Sequence, residues 1–177
     1  LIMGSNAHLV LYPINQNKEF NLVCIIRKKE KNSESMKQIL ESTILKQNKN
    51  LVNLFKEDLK LWSIYTSNKP IKSIYKNVFY IGDAFYTFPP TMAQGVSQAI
   101  ESANEIFNLI EIRELDIQNI YFKKRLERTN LINKRSKFNY FSFHISNTIL
   151  KIFRNIILKV LVKNKNFINN YLGKVYK

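Results

Sequence analysis

Two of the four glycines and two of the four prolines of this 177-residue chain fall within residues 82–95, and that clustering constrains the fold more than any other feature. The stretch "NVFYIGDAFYTFPPTMAQGVSQAIESANEIF", residues 77–107, runs from an apolar segment, Val78 to Ile81, through Gly82-Asp83, Pro89-Pro90 and Gln94-Gly95. From Thr91 on, apolar residues recur every three or four positions: Ala93, Val96, Ile100, Ala103, Ile106, Phe107 and Ile110. This spacing predicts a helix whose apolar stripe packs on a core. The expected local architecture is strand, sharp turn, helix.

Each special residue has a physical use. Gly82 permits a turn where a Cβ would clash, Asp83 offers an acceptor to a hydroxyl or a backbone N–H, and Pro89-Pro90 stiffen the approach. Gly95 near the helix start leaves backbone N–H groups open to a ligand, and a free helix N-terminus attracts negative charge. Spacing alone leaves two readings open. Either Asp83 caps a turn and Gly95 relieves packing, or the two together hold an anionic or electron-rich ligand.

The flanking sequence divides by periodicity. "AHLVLYPI" and "EFNLVCIIRK" are rich in β-branched and aromatic residues and are separated by "NQNK", which predicts an antiparallel hairpin over residues 7–29. Residues 29–57 are polar with apolar positions at Met36, Ile39, Leu40, Ile44 and Leu45, a helical spacing that suits two short helices split near Asn48 to Asn50, with Ser33 or Ser35 as a cap. "LKLWSIYTS" alternates like a strand. From Ile117 to Val162 the pattern is again helical, broken near "FHISNT", where Ser146 or Asn147 can cap the next helix. That helix carries Ile149, Ile152, Phe153, Ile156, Ile157, Val160 and Leu161 on one face, with Lys151, Arg154, Lys159 and Lys163 away from it. Trp62 and the many tyrosines and phenylalanines are expected to fill core.

Composition narrows the function classes. The single cysteine, Cys24, sits in an apolar run and makes no disulfide, which favours a buried hydrophobe in a reducing, cytoplasmic setting. No stretch is long and apolar enough to span a bilayer. The opening "LIMGSNAHLV" does not read as a signal peptide, and a chain cut from a longer one is expected. Neither His8 nor His144 has metal-ligand spacing, so no metal is expected, and both read first as structural histidines. The formal charge of +15 is spread from Arg27 to Lys177, in company with heavy use of Asn and Ile. A general compositional bias therefore competes with a built anionic-partner surface.

"IGDAFYTFPPTMAQGVSQAIESANEI" resembles the second FAD-binding motif of the single-component flavoprotein monooxygenases, typified by salicylate, p-hydroxybenzoate and ubiquinone-biosynthesis hydroxylases. That motif runs Gly-Asp-Ala-Ala-His, a proline four residues on, then Gln-Gly opening a helix. "GSNAHLVLYPINQNKEFNLVCIIR" resembles the Gly-x-x-x-His-x-Val-x-Tyr-Pro hairpin of the salicylate-hydroxylase branch. "LKLWSIYTSNKPIKSIYKNVFYIGD" resembles the lead into the motif, and "YFKKRLERTNLINKRSKFNYFSFHISNTILKIFRNIILKVL" the branch's C-terminal helices. The family's histidine is Tyr86 here, its second alanine is Phe85, and its Glu-Asp is Glu101-Ser102. The Gly-x-Gly-x-x-Gly turn that binds the ADP half of FAD is absent from these residues, as is the family's Asp-Gly motif.

The resemblance implies an α+β or α/β fold made of three parts. Residues 1–66 would belong to the substrate-binding β-sheet domain with connecting helices, 67–112 to the second FAD-binding segment (strand, Gly-Asp loop, helix) and 113–177 to the C-terminal helices, with the dinucleotide-binding part absent. Asp83 then matches the aspartate that bonds the ribityl chain of FAD, Gly82 the glycine that lets it approach, and Pro90 the proline beside the isoalloxazine. Ala93, Gln94, Gly95 and Val96 match the helix start facing the flavin, and His8 and Tyr12 lie on the substrate side. The implied activity is hydroxylation of a small aromatic or quinone-like substrate with NADH or NADPH and oxygen, by the intact protein rather than by this portion alone. The competing readings are a basic module with no catalysis of its own, bound either to nucleic acid or to a membrane surface. No zinc, RNP or recognition-helix signature supports nucleic acid. The resemblance leaves the 147–163 helix either packed on the missing N-terminal part or in peripheral contact with the inner face of a membrane.

Overall fold

The computed structural model describes residues 1–27, 38 and 62–176, which are mixed α and β. The helices expected over 29–57 lie outside the described residues, Gln38 excepted. The chain divides into two compact units, one of Leu1–Leu61 with Phe141–Lys177 and the other of Trp62–Tyr140. Among the described residues no helix is long and apolar enough to cross a membrane.

In the first unit the expected hairpin is present. Strand β2, Ala7–Ile14, pairs antiparallel with β3, Glu19–Ile26, in a register that sets Leu9 opposite Cys24 and Ala7 opposite Ile26. A two-residue strand not foreseen in the sequence, β1 (Ile2–Met3), pairs with the other edge of β2. Residues Asn15, Gln16 and Asn17 turn the hairpin in the left-handed region, at φ of 47°, 56° and 68°. Asparagine tolerates that region far better than most residues, which is why "NQN" is turn chemistry. One face of β2 buries Ala7 and Leu9 under Ile2, Leu22, Cys24 and Ile26. Burial pushes the Cys24 thiol up to about 11, so it stays protonated and inert.

The opposite face of β2 buries His8 completely. Its Nδ1 lies 3.0 Å from Nε2 of His144, its ring meets Phe143 edge-on, and its Nε2 has no partner among the described residues. Burial, reinforced by the neighbouring His144 ring, pushes His8 down to about 4. A histidine whose folded value lies below its ordinary one binds its proton only on unfolding, over the interval between the two. The contribution of His8 is therefore complete above about pH 6.5, and it falls by about 1.4 kcal/mol per unit as the pH drops towards 4. The first unit is expected to melt roughly 10 °C lower at pH 5 than at pH 7. Thermal melts followed by circular dichroism check this, and an equal melting temperature at the two values would refute it.

The second unit is organised by two helices, α1 (Gly95–Glu111) and α2 (Ile117–Phe143), the latter running on to the first unit's Phe143. Their packing reverses the expected polarity of α1. Gln98, Ser102 and Leu109 are its buried residues, whereas Val96, Ile100, Phe107 and Ile110 of the apolar stripe are exposed. The reason is charge and hydrogen bonding. Glu101 and Glu105 lie one turn apart on α1 and meet Lys124, Arg125 and Arg128, similarly spaced on α2. Arg125 is 2% exposed, with Nη1 2.8 Å from Glu101 and Nη2 2.6 Å from the Gln98 side chain.

Two expected strands are not formed among the described residues. Val78 to Ile81 is extended at Ile81 but in no sheet; of the expected 59–67 strand, residues 62–67 have no regular structure and 59–61 lie outside the described residues. A strand needs a neighbouring strand for its N–H and C=O groups, and no described segment pairs with either as a ladder; Tyr80 O instead accepts from the Tyr121 hydroxyl and Val78 N–H bonds Tyr75 O. Three isolated backbone or side-chain bonds replace a ladder: Ser67 N–H to Thr87 O, Ile71 N–H to Phe85 O, and Thr87 N–H to Ser67 Oγ. Trp62, expected in the core, is consequently 82% exposed.

The remaining helices are α3 (Thr148–Leu161), α4 (Lys165–Tyr171) and α5 (Gly173–Tyr176), all in the first unit. The Asn147 side chain accepts from Leu150 N–H at 3.1 Å and starts α3, one of the two caps expected there. Asn164 does the same for α4.

Candidate functional site

The loop from Gly82 to Gln94 folds around a cleft of about 300 Å³ in the second unit. Its lining comprises Ile64, Tyr65, Asp83, Thr87, Phe88, Pro89, Pro90, Ala93, Gln94 and Gly95. Of the positions expected to hold a cofactor, Asp83, Pro90, Ala93, Gln94 and Gly95 thus share one wall. Gly82 sits behind it, and Val96 points to solvent. Ile64, Tyr65, Thr87 and Phe88 were not expected there. The segment at 62–67 brings the first two in through its bonds to the 85–87 stretch.

A single 3₁₀ turn, Gly82–Ala84, aims Asp83. The N–H groups of Phe85 and Tyr86 both bond Gly82 O at 3.0 Å, closing the turn. Gly82 has φ +54°, and a Cβ there would stand 2.9 Å from the Ala99 Cβ on α1. Its need for glycine is therefore set by the fold, through both the left-handed backbone and the close approach of α1. The departures at Phe85 and Tyr86 point into the core, away from the cleft. Phe85 is 2% exposed among Tyr121 and Phe122, and Tyr86 is buried beside Phe88. Burial raises the Tyr86 hydroxyl despite its bond to Asn133.

The helix start is built differently from its capped counterparts at α3 and α4. Gln94 is the N-cap of α1, and no side chain caps the helix. A Cβ at Gly95 would meet nothing within 4 Å, so packing does not require glycine there. Gln94 is 4% exposed, its Oε1 accepts from Gln98 at 3.4 Å, and its Nε2 has no partner among the described residues. A buried amide left without an acceptor costs about 1–3 kcal/mol, which a ligand acceptor would relieve. Ala93 holds φ +52° in the wall, a conformation that costs a non-glycine residue roughly 1–2 kcal/mol. Thr91 Oγ1 donates to Ser136 O on α2 at 2.8 Å and fixes the loop from behind.

Chemically, the wall offers one exposed carboxylate, at Asp83, as a hydroxyl acceptor. Beside it are an uncapped helix N-terminus, a spare amide donor and two prolines. It suits a ligand carrying hydroxyls at one end and electron-rich acceptors at the other. Neither histidine lies in this unit, and His8, expected on the substrate side, is buried against His144. Tyr12 is partly exposed on β2 and its hydroxyl accepts from Asn21. Among the described residues no three His, Cys, Asp or Glu side chains are grouped to hold a metal. Comparison with protein-family models, with curated proteins and with solved structures gives no match to this chain.

Proposed function

We propose that the chain is the C-terminal portion of an FAD-dependent monooxygenase of the p-hydroxybenzoate hydroxylase fold, with the Gly82–Val96 stretch forming the flavin side of its cofactor site. The observation that carries this is the convergence on one cleft of Asp83, Pro90, Ala93, Gln94 and Gly95, positions singled out by their likeness to a flavin motif. Two features favour a ligand over plain loop packing: the open space at Gly95 and the unpartnered, buried Gln94 Nε2.

The residues fit the flavin end of FAD. A cleft of about 300 Å³ is at the small end for ligand sites, enough for one end of a dinucleotide cofactor. Asp83 would accept from a ribityl hydroxyl, and the free N–H groups at Gly95 and Val96, with Gln94 Nε2, would donate to the pyrimidine-edge acceptors. Pro90 would bound the ring without adding a donor. When bound, the cofactor supplies hydride acceptance from NADH or NADPH and oxygen transfer to an aromatic or quinone-like substrate. This chain's residues bind and orient it, and favour negative charge near the helix start. Such use of NAD(P)H goes with a cytoplasmic site of action.

In the longer protein that this reading requires, Asp83→Ala is expected to weaken FAD retention roughly 10- to 100-fold, the loss of one charge-assisted bond. Flavin absorbance after gel filtration measures it, and unchanged retention would contradict the assignment. Alone, the chain would hold FAD weakly, because the ADP half has no partner here.

A further inference from the structure

We propose that α3 docks on an anionic lipid surface through its outward apolar face. This inference is independent of the flavin reading. Ile149, Ile152, Phe153, Ile156, Ile157 and Val160 form one arc of α3, and each is more than half exposed. The helix is attached to its own unit by the other side, where Lys151, Arg154, Leu158 and Leu161 are half-buried. Lys151 Nζ reaches Ser5 Oγ at 3.3 Å and Arg154 Nη1 donates to Ser142 O at 2.9 Å. A helix placed for water would turn the other way.

Charge selects the occupant. From residue 128 to residue 177 there are eleven Lys or Arg and no Asp or Glu. By helical spacing Lys159 borders the apolar arc and Lys163 follows just past the end of the helix, and both are exposed. This is the layout of an interfacial helix, in which aliphatic and aromatic side chains enter the acyl boundary and lysines reach the phosphates. A second copy of the chain would bring the same positive charge against itself. A nucleic acid would leave the apolar arc in water. The exposed stripe of α1 is the internal contrast, since that helix carries Glu101, Glu105 and Glu111 and no basic residue.

Vesicle flotation in a density gradient tests this, because aggregated protein does not rise with the lipid. With about 30% phosphatidylglycerol in phosphatidylcholine at about 0.1 M salt, the chain is expected to float at least tenfold more than with phosphatidylcholine alone. Phe153→Ser with Ile156→Ser, and separately Lys159→Gln with Lys163→Gln, should each cut binding roughly tenfold. Phe107→Ser with Ile110→Ser on α1 should leave it unchanged. All six positions are exposed, so helix content by circular dichroism should persist in every variant. Absence of flotation on the anionic vesicles would overturn the proposal, as would equal binding to neutral lipid. So would binding of a single-stranded oligonucleotide that persists in Phe153→Ser with Ile156→Ser while vesicles do not bind. Flotation by this chain but not by a longer polypeptide containing it would also overturn it, by assigning the arc to protein.

Discussion

Glu101→Ala is expected to lower the stability of the Trp62–Tyr140 unit by about 3 kcal/mol, near the lower end of what breaking a buried ion pair costs. The partner left behind is what makes the loss large. Arg125 is 2% exposed, and without Glu101 its guanidinium keeps, among the described residues, only neutral oxygens of Gln98, the side-chain Oε1 at 2.6 Å and the backbone O at 3.5 Å, since its Nε already lacks a partner there. Arg128 loses its 2.7 Å bond to the same carboxylate. Glu101 is itself 32% exposed, so solvent offsets part of the cost. Glu105→Ala, which breaks only the more exposed pair with Lys124, should cost less than about 1 kcal/mol. Urea titrations by far-ultraviolet circular dichroism separate the two. Equal small effects would show that the charged face does not hold α1 to α2.

The same pair has a pH signature. Burial by itself would raise the Glu101 carboxyl, but the Arg128 hydrogen bond and the Arg125 charge outweigh it and hold the group below its ordinary range. A depressed carboxylate stabilises fully above its unfolded value of about 4.3, and this contribution is lost as the pH falls through the folded one. The part of this unit's stability that Glu101 contributes should therefore be lost only in acid, below about pH 4. In the first unit, the loss tied to His8 begins near pH 6.5.

The second large effect is a contrast between two glycines thirteen residues apart. Gly82→Ala is expected to destabilise the unit by about 3 kcal/mol, because the backbone is left-handed and the new Cβ meets the Ala99 Cβ at 2.9 Å. Ala99 has no flexible end that can move aside. At Gly95 a methyl group meets nothing, so Gly95→Ala should raise stability by up to about 1 kcal/mol. The functional reading adds a second axis: Gly95→Ala narrows the cleft wall and should weaken ligand binding while the fold gains. Melting temperature and ligand affinity measured on both variants resolve the two roles. A destabilised Gly95→Ala would return that glycine to a packing role.

Local structure was legible wherever one physical rule dominates. Alternating apolar residues about "NQN" fix the hairpin, and the cap at Asn147 with the spacing after it locates α3. That Asp83, Pro90, Ala93, Gln94 and Gly95 would lie together was legible, because turns and helix starts demand particular residues, and these five line one cleft. Burial was not legible. Hydrophobic periodicity pointed the apolar side of α1 inward, whereas acids at 101 and 105 and bases at 124, 125 and 128 decide which face meets α2. That charge spacing was a readable signal, and weighing it would have corrected the expectation. The Val78 to Ile81 strand failed for a different reason. Strand character belongs to a pair of segments, and one segment's composition cannot supply the other.

The central claim, that the cleft lined by Asp83 to Gly95 receives a flavin, is tested most directly by titrating the chain with riboflavin 5′-phosphate and following backbone amides by NMR. That ligand carries the ring and the ribityl chain without the ADP half. Weak binding is predicted, with shift changes concentrated at Gly82, Asp83, Gln94, Gly95 and Val96 and abolished in Asp83→Ala. Absence of any shift, or shifts centred elsewhere and indifferent to Asp83, would contradict it.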